Sequence, residues 1–113
     1  MAVDKSLTSG STGMLLLKML SEKEMYGYEM IETLEARSNH VFELKAGTLY
    51  PLLHSMEAQN LLTSCERESG GKKRKYYKIT SEGRTMLGKK QQEWKEYSEA
   101  VMQVLGGVSF GNA

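Results

Sequence analysis

The 113-residue sequence predicts a mainly α fold, α+β in class, with three short helices, one β-hairpin and a long fourth helix. Three observations predict it. Before residue 60, apolar residues recur at helical spacing in three separate segments, each with one face to bury. Between Leu62 and Thr80 the period falls to two around a Gly-Gly pair, which marks a hairpin. Beyond Ser81, Leu87, Trp94 and Val101 stand seven apart, the spacing of a helix with a seam for another helix.

Taken in order, residues 1–9 are small and polar and read as a flexible tail. From about Gly10 to Leu20, Met14, Leu15, Leu16, Leu17, Met19 and Leu20 are apolar on most sides. Such a helix is expected to be buried widely, against its own core and, through Leu15, against a second chain. "SEKEMYG" reads as a break, with Ser21 as cap of the next helix. That second helix is expected from Tyr26 or Gly27 to Arg37. Tyr26, Met30, Ile31 and Leu34 share its core face, and Glu29, Glu32 and Glu35 face water. "RSNHVFEL" is a loop anchored by Val41, Phe42 and Leu44.

The third helix holds the only proline, Pro51, inside "KAGTLYPLLHSMEAQNLL". Its core face is Leu49, Leu52, Leu53 and Met56, and Asn60 suits a left-handed cap. Propensity favours a start with Thr48 as N-cap, because Pro51 then falls in the first turn, where no intrahelical donor is missed. "LTSCERES" and "KRKYYKIT" are the two strands, and Gly70-Gly71 supplies the positive φ angles of a tight turn. Tyr77 and Ile79 take one face of the second strand, Tyr76 and Lys78 the other. The last helix runs from about Ser81 to Leu105. Tyr97 and Val104 continue a second seam beside Leu87, Trp94 and Val101, with Lys90 as a polar exception, and Gly106-Gly107 ends it.

Three helices and a hairpin in this order describe a winged helix-turn-helix, here residues 10–80. Residues 81–106 form a dimerisation helix and 107–113 a loose tail. Bulk composition agrees with one domain and one modest core: 40% of residues are hydrophobic and 26% charged. A lone cysteine, Cys65, permits no intrachain disulfide and fits a reducing, cytoplasmic compartment. The longest apolar run, Met14 to Leu17, is too short to span a bilayer, and "MAVDKSLTSGSTG" lacks the apolar stretch of a secretion signal.

With a net charge of only +1, any nucleic-acid argument rests on how charge is distributed. Between Glu66 and Lys78 six cations face two carboxylates, a local excess of four. Lys72, Lys73, Arg74 and Lys75 adjoin the hairpin tip, as a phosphate-binding wing would require. The same lysines also suit a solvated turn that blunts an edge strand. In helix-turn-helix proteins the N-terminal residues of the second helix of the motif meet base edges. Here those are Lys45, Thr48, Tyr50 and His54: a cation, two hydroxyls and a histidine. No Arg, Asn or Gln occurs in the first two turns, so bidentate base readout is weak. His54 reads equally as a plain surface histidine.

Enzyme chemistry finds no support. His40 and His54 are the only histidines, no cluster has metal-ligand spacing, and neither a Gly-rich phosphate loop nor GxSxG is present. No metal or cofactor is expected, and Cys65 reads as a bland cysteine rather than a reactive one. Trp94 has two readings: packing in the dimer seam, or one wall of a slot for a planar, apolar effector.

"MYGYEM" (Met25–Met30), "GTLYPLL" (Gly47–Leu53), "GGKKRKYYKIT" (Gly70–Thr80) and "SEG" (Ser81–Gly83), in that order and spacing, resemble the PadR family of bacterial transcriptional regulators. The resemblance covers nearly the whole chain. It implies a winged-helix homodimer on a palindromic operator of double-stranded DNA, usually as a repressor. The C-terminal helix, helped by the first, would form the dimer, and the single C-terminal helix is similar to the family's short branch. It further implies that Thr48, Tyr50 and Pro51 lie in the recognition helix and Lys72–Lys75 in the wing. Trp94 falls where multidrug-sensing members carry a drug-stacking tryptophan. The family also suggests a recognition helix starting near Ala46. There are two departures from it: Thr12 stands where an apolar residue is usual, and Lys45-Ala46 where a small cap and a proline are common. The rival reading is a coiled-coil interaction module whose basic loop takes a protein or other anionic partner.

Overall fold

A computed structural model describes residues 10–106. The two tails expected at 1–9 and 107–113 lie outside the described residues, as does Gly107 of the terminal Gly-Gly stop. Seven elements follow one another: α1 (Thr12–Glu22), β1 (Met25–Tyr26), α2 (Gly27–Arg37), α3 (Ala46–Ala58), β2 (Leu62–Ser69), β3 (Lys72–Ile79) and α4 (Ser81–Val104). The strands form one antiparallel sheet in the order β1-β3-β2.

α1 buries Leu16, Leu17, Met19 and Leu20, with Met14 and Leu15 packed at the edge of the core. It runs two residues past the expected end, so Ser21 caps nothing. The Ser21 hydroxyl instead donates to the Lys18 carbonyl at 2.6 Å, the back-bonding of a serine still inside a helix. β1 was not expected. Two residues carry no periodicity, and the strand exists only because Met25 pairs with Tyr77 and Tyr26 with Tyr76.

α2 buries Met30 and Leu34. In the loop after it, Asn39 and His40 adopt φ of 54° and 66°. Phe42 and Leu44 anchor the loop against the core, but Val41 is exposed and does not.

α3 starts at Ala46, not at Thr48. The amides of Thr48 and Leu49 both donate to the Lys45 carbonyl, at 3.0 and 2.9 Å, so Lys45 is the N-cap residue, with no side-chain cap bond. Pro51 therefore lies inside the helix and cannot supply the amide that the Gly47 carbonyl would accept. Gly47 is exposed, so water can take that place. The other end is closed as expected. Asn60 takes φ 63°, its N–H donates to the Glu57 carbonyl (3.0 Å), and the Leu61 N–H donates to the Met56 carbonyl (2.9 Å). These are the two bonds of a Schellman ending.

The hairpin turns on Gly70 (φ 60°) and Gly71 (φ 79°), with Ser69 opposite Lys72. Its inner face delivers Leu62, Tyr77 and Ile79 to the core formed by Leu16, Met30, Leu49 and Leu53. Thr80 then caps α4: its hydroxyl oxygen accepts the Gly83 N–H at 2.9 Å and donates to the Asn60 carbonyl at 2.7 Å. Leu87 is the last buried residue of α4. The remainder of that 24-residue helix lengthens the molecule to 53 Å along its major axis. Among the described residues no helix is long and apolar enough to cross a membrane.

Candidate nucleic-acid interface

Three elements meet at one end of the sheet. α3 contributes Tyr50, the β1–α2 junction contributes Tyr26, Gly27 and Tyr28, and the wing contributes Lys72, Lys73, Arg74 and Lys75. Together they line an open cleft of about 420 Å³. The Tyr50 ring lies so close to Gly27 that a Cβ there would stand 2.3 Å from the Tyr50 hydroxyl and push the ring aside.

The two-residue strand period splits the wing cations. Lys73 and Lys75 share the inner face with Tyr77, while Lys72 and Arg74 share the outer face with Tyr76. Lys73 is directly opposite Glu68, and Lys75 opposite Glu66, so both inner lysines have a carboxylate across the ladder. The ammonium of Lys75 lies 5.5 Å from the Tyr77 ring centre. Burial pushes the Tyr77 phenol above its ordinary pKa, with nearby Lys75 acting against that shift. The inner face is fixed to α3 by the Ser64 hydroxyl, which donates to a Glu57 carboxylate oxygen at 2.6 Å.

Not every candidate joins the cleft. Thr48 and Lys45 are exposed at the first turn of α3 and its N-cap, and His54 is exposed one turn beyond Tyr50. All stand outside the cleft lining, and Pro51 is exposed between Tyr50 and the rest of the helix. Tyr28 is a lining residue that sequence reasoning missed. It is 60% exposed. The available signal was an aromatic residue off the Met30–Ile31–Leu34 face of α2.

A second surface lies on α4. Trp94 (49% exposed), Tyr97 (64%), Val101 (37%), Val104 (88%) and Leu105 (71%) form an uncovered apolar face, and the Trp94 and Tyr97 rings tilt together with centres 6.0 Å apart. Leu87 of the same expected seam is buried in the chain's own core instead, and Leu15 is partly buried. Among the described residues no group of three or more His, Cys, Asp or Glu side chains could hold a metal ion.

Residues 16–89 match the transcriptional regulator PadR-like family. The chain is 34% identical over 94 residues to the transcriptional regulator Rv3488 of Mycobacterium tuberculosis, covering 83% of this chain and 82% of that protein. Among solved structures it is similar to a PadR family transcriptional regulator from Eggerthella lenta DSM 2243 (34% identity, TM-score 0.79, 88% of this chain and 86% of that one). It is also similar to the PadR-like regulator BC4206 of Bacillus cereus (31% identity, TM-score 0.81, 92% and 100%).

Proposed function

We infer, since the chain belongs to the PadR-like family of transcriptional regulators, that it binds double-stranded DNA as a homodimer and represses transcription from a palindromic operator. One observation carries this reading. The exposed tyrosines of α2 and α3 and the four wing cations open onto the same cleft. Hydroxyls and cations converging from a rigid helix and a hairpin match a sugar-phosphate backbone, whose contacts fix the register of a protein on DNA. α3 enters the major groove, with Thr48 and Tyr50 toward it, Lys45, Lys72, Lys73 and Lys75 holding phosphates, Arg74 beside them in the wing, and His54 farther along the groove. The half-sites then lie about one helical turn, roughly 34–36 Å, apart. Regulators of this class are not enzymes, and the site of action is the cytoplasm.

The dimer forms through the α4 face, where Trp94, Tyr97, Val101 and Val104 are uncovered. The half-exposed Trp94 beside Tyr97 favours one addition: a planar, apolar effector stacks between the paired C-terminal helices. It releases DNA by preferring one spacing of the two recognition helices. Quenching of Trp94 fluorescence by planar cations, abolished in Trp94→Ala while the dimer persists, supports this; no quenching by any of them leaves the tryptophan a packing residue.

A gel shift with the chain's own upstream DNA separates this reading from a coiled-coil module that takes a protein partner. On that DNA, replacing Lys72, Lys73 and Lys75 together by Ala is expected to weaken binding to all sequences alike. The log–log salt dependence should flatten by about 0.9 for each phosphate no longer neutralised. An unchanged slope would remove the wing from the interface.

A further inference from the structure

Arg67 and Arg74 are directly opposite each other on β2 and β3. Like charges so placed in an antiparallel ladder repel, whereas the neighbouring pairs, Glu66 with Lys75 and Glu68 with Lys73, are of opposite sign. The reason lies on the outer face of the sheet, where neither arginine projects into solvent alone. The Arg67 guanidinium sits 4.1 Å above the ring of Tyr76, and the Arg74 guanidinium 4.4 Å above the ring of Tyr26. The two tyrosines, partners in the β1–β3 register, meet edge to face with centres 5.4 Å apart. Arg67 also reaches Glu24, just before β1, at 3.1 Å.

Each arginine thus covers the tyrosine diagonally across from it on the next strand, a separation that long side chains can bridge. The result is a staircase over all three strands: Arg67 of β2 on Tyr76 of β3, then Arg74 of β3 on Tyr26 of β1. A guanidinium can add planar stacking to the attraction of a cation for a ring; an ammonium keeps only the point-charge attraction. Its far end is the residue immediately before Gly27, on which Tyr50 of α3 rests.

We propose that Arg74 is a positioning residue: stacked on Tyr26, and together with Arg67 on Tyr76, it sets the wing relative to the recognition helix instead of holding a phosphate. The effect on DNA rests on the DNA-binding reading above; the clamp itself does not. Of the four wing cations, the three lysines are then the phosphate ligands.

The test compares Arg74→Lys, Arg74→Ala and Tyr26→Leu. In the free protein, amide hydrogen exchange at Tyr76 and Tyr77 is expected to quicken about two- to fivefold in Arg74→Ala and Tyr26→Leu, the loss of one exposed cation–π stack, and by a smaller factor in Arg74→Lys, which keeps the charge but not the planar stack. Exchange at Met30 and Leu34 in α2 should stay as it was. Unchanged exchange at β3 overturns the clamp, whether or not the protein binds DNA. With a duplex from the chain's own upstream DNA, Arg74→Ala is expected to lose affinity and Arg74→Lys to lose part of the same amount. The salt slope should be unchanged, and Tyr26→Leu should add nothing to Arg74→Ala. If Arg74→Lys binds like the unaltered protein while Arg74→Ala flattens the slope by about 0.9, Arg74 is a phosphate ligand and the positioning role is wrong. If the unaltered protein binds no duplex, the DNA reading fails and the exchange result still decides the clamp.

Discussion

Replacing Gly27 by Ala should damage DNA binding while leaving the fold intact. The new Cβ would stand 2.3 Å from the Tyr50 Oη, 2.6 Å from Cζ and 2.9 Å from Cε1. Ordinary contacts lie near 3.5 Å, so the phenol must retreat by a little over ~1 Å. It has room to do so, because Tyr50 is 39% exposed and the atoms in the way are the far end of its side chain. Ala is also the better helix former, so the melting temperature should move by no more than about 3 °C, the equivalent of well under 1 kcal/mol in a domain of this size. Binding should suffer more. A hydroxyl displaced from a charged acceptor such as phosphate forfeits about 1.5 kcal/mol, or about tenfold in Kd. Fluorescence anisotropy with the upstream duplex, run beside thermal unfolding, measures both. Tyr50→Phe removes the same hydroxyl without moving the ring, so the double variant should bind no worse than the weaker single. Fully additive losses, or a collapse in melting temperature with Kd unchanged, would refute the reasoning.

Pro51→Ala restores an amide for the Gly47 carbonyl and removes a ring clash inside α3. After allowance for the looser unfolded chain, it should raise stability in urea by about 1–2 kcal/mol. Gly83→Ala should do the opposite. Its Cβ would meet the Leu61 carbonyl oxygen at 2.2 Å, and this is backbone held by the Thr80 N–H at 3.0 Å, so overpacking of about 1–3 kcal/mol is expected in the same assay. Tyr97→Ala with Val101→Ala, both on the exposed α4 face, should shift the chain toward monomer in sedimentation velocity while the far-ultraviolet dichroism of the winged domain persists.

What could be read from the sequence was what local physics decides. The hairpin was legible because alternation and Gly70-Gly71 fix both faces and the turn without help from the rest of the chain. The Asn60 ending of α3 was legible for the same reason. The start of α3 was not legible from propensity. Thr48 is the better N-cap by chemistry, yet the helix begins at Ala46 behind a lysine whose side chain makes no cap bond. Leu49, Leu53 and Met56 are helical with either start, and the extra residues are held by the Lys45 carbonyl, which accepts the Thr48 and Leu49 N–H groups. β1 was invisible because its two residues are a strand only by pairing with β3. That omission hid the rest: without β1 the register that stacks Arg74 on Tyr26 does not exist, and Arg74 reads as one more wing cation. Tyr28 was overlooked because an exposed aromatic on a helix carries no period of its own.

The dipeptide Tyr26-Gly27 therefore does two jobs that the sequence shows as one motif. Tyr26 receives the wing, through Arg74 and the pairing with Tyr76, and Gly27 receives the recognition helix, through Tyr50. The requirements differ in kind. Position 26 needs a ring with both a face and an edge to offer, whereas position 27 needs the absence of any side chain. Because the two residues are covalent neighbours at the start of α2, one link between wing and helix is a single peptide unit, beside the Ser64–Glu57 hydrogen bond that ties β2 directly to α3. With a net charge of only +1, the chain has little long-range attraction to make up for a misaligned cleft. On the proposed DNA-binding reading, affinity then rests on close contacts from the cleft and the exposed first turns of α3, whose geometry is set within a few residues of the site.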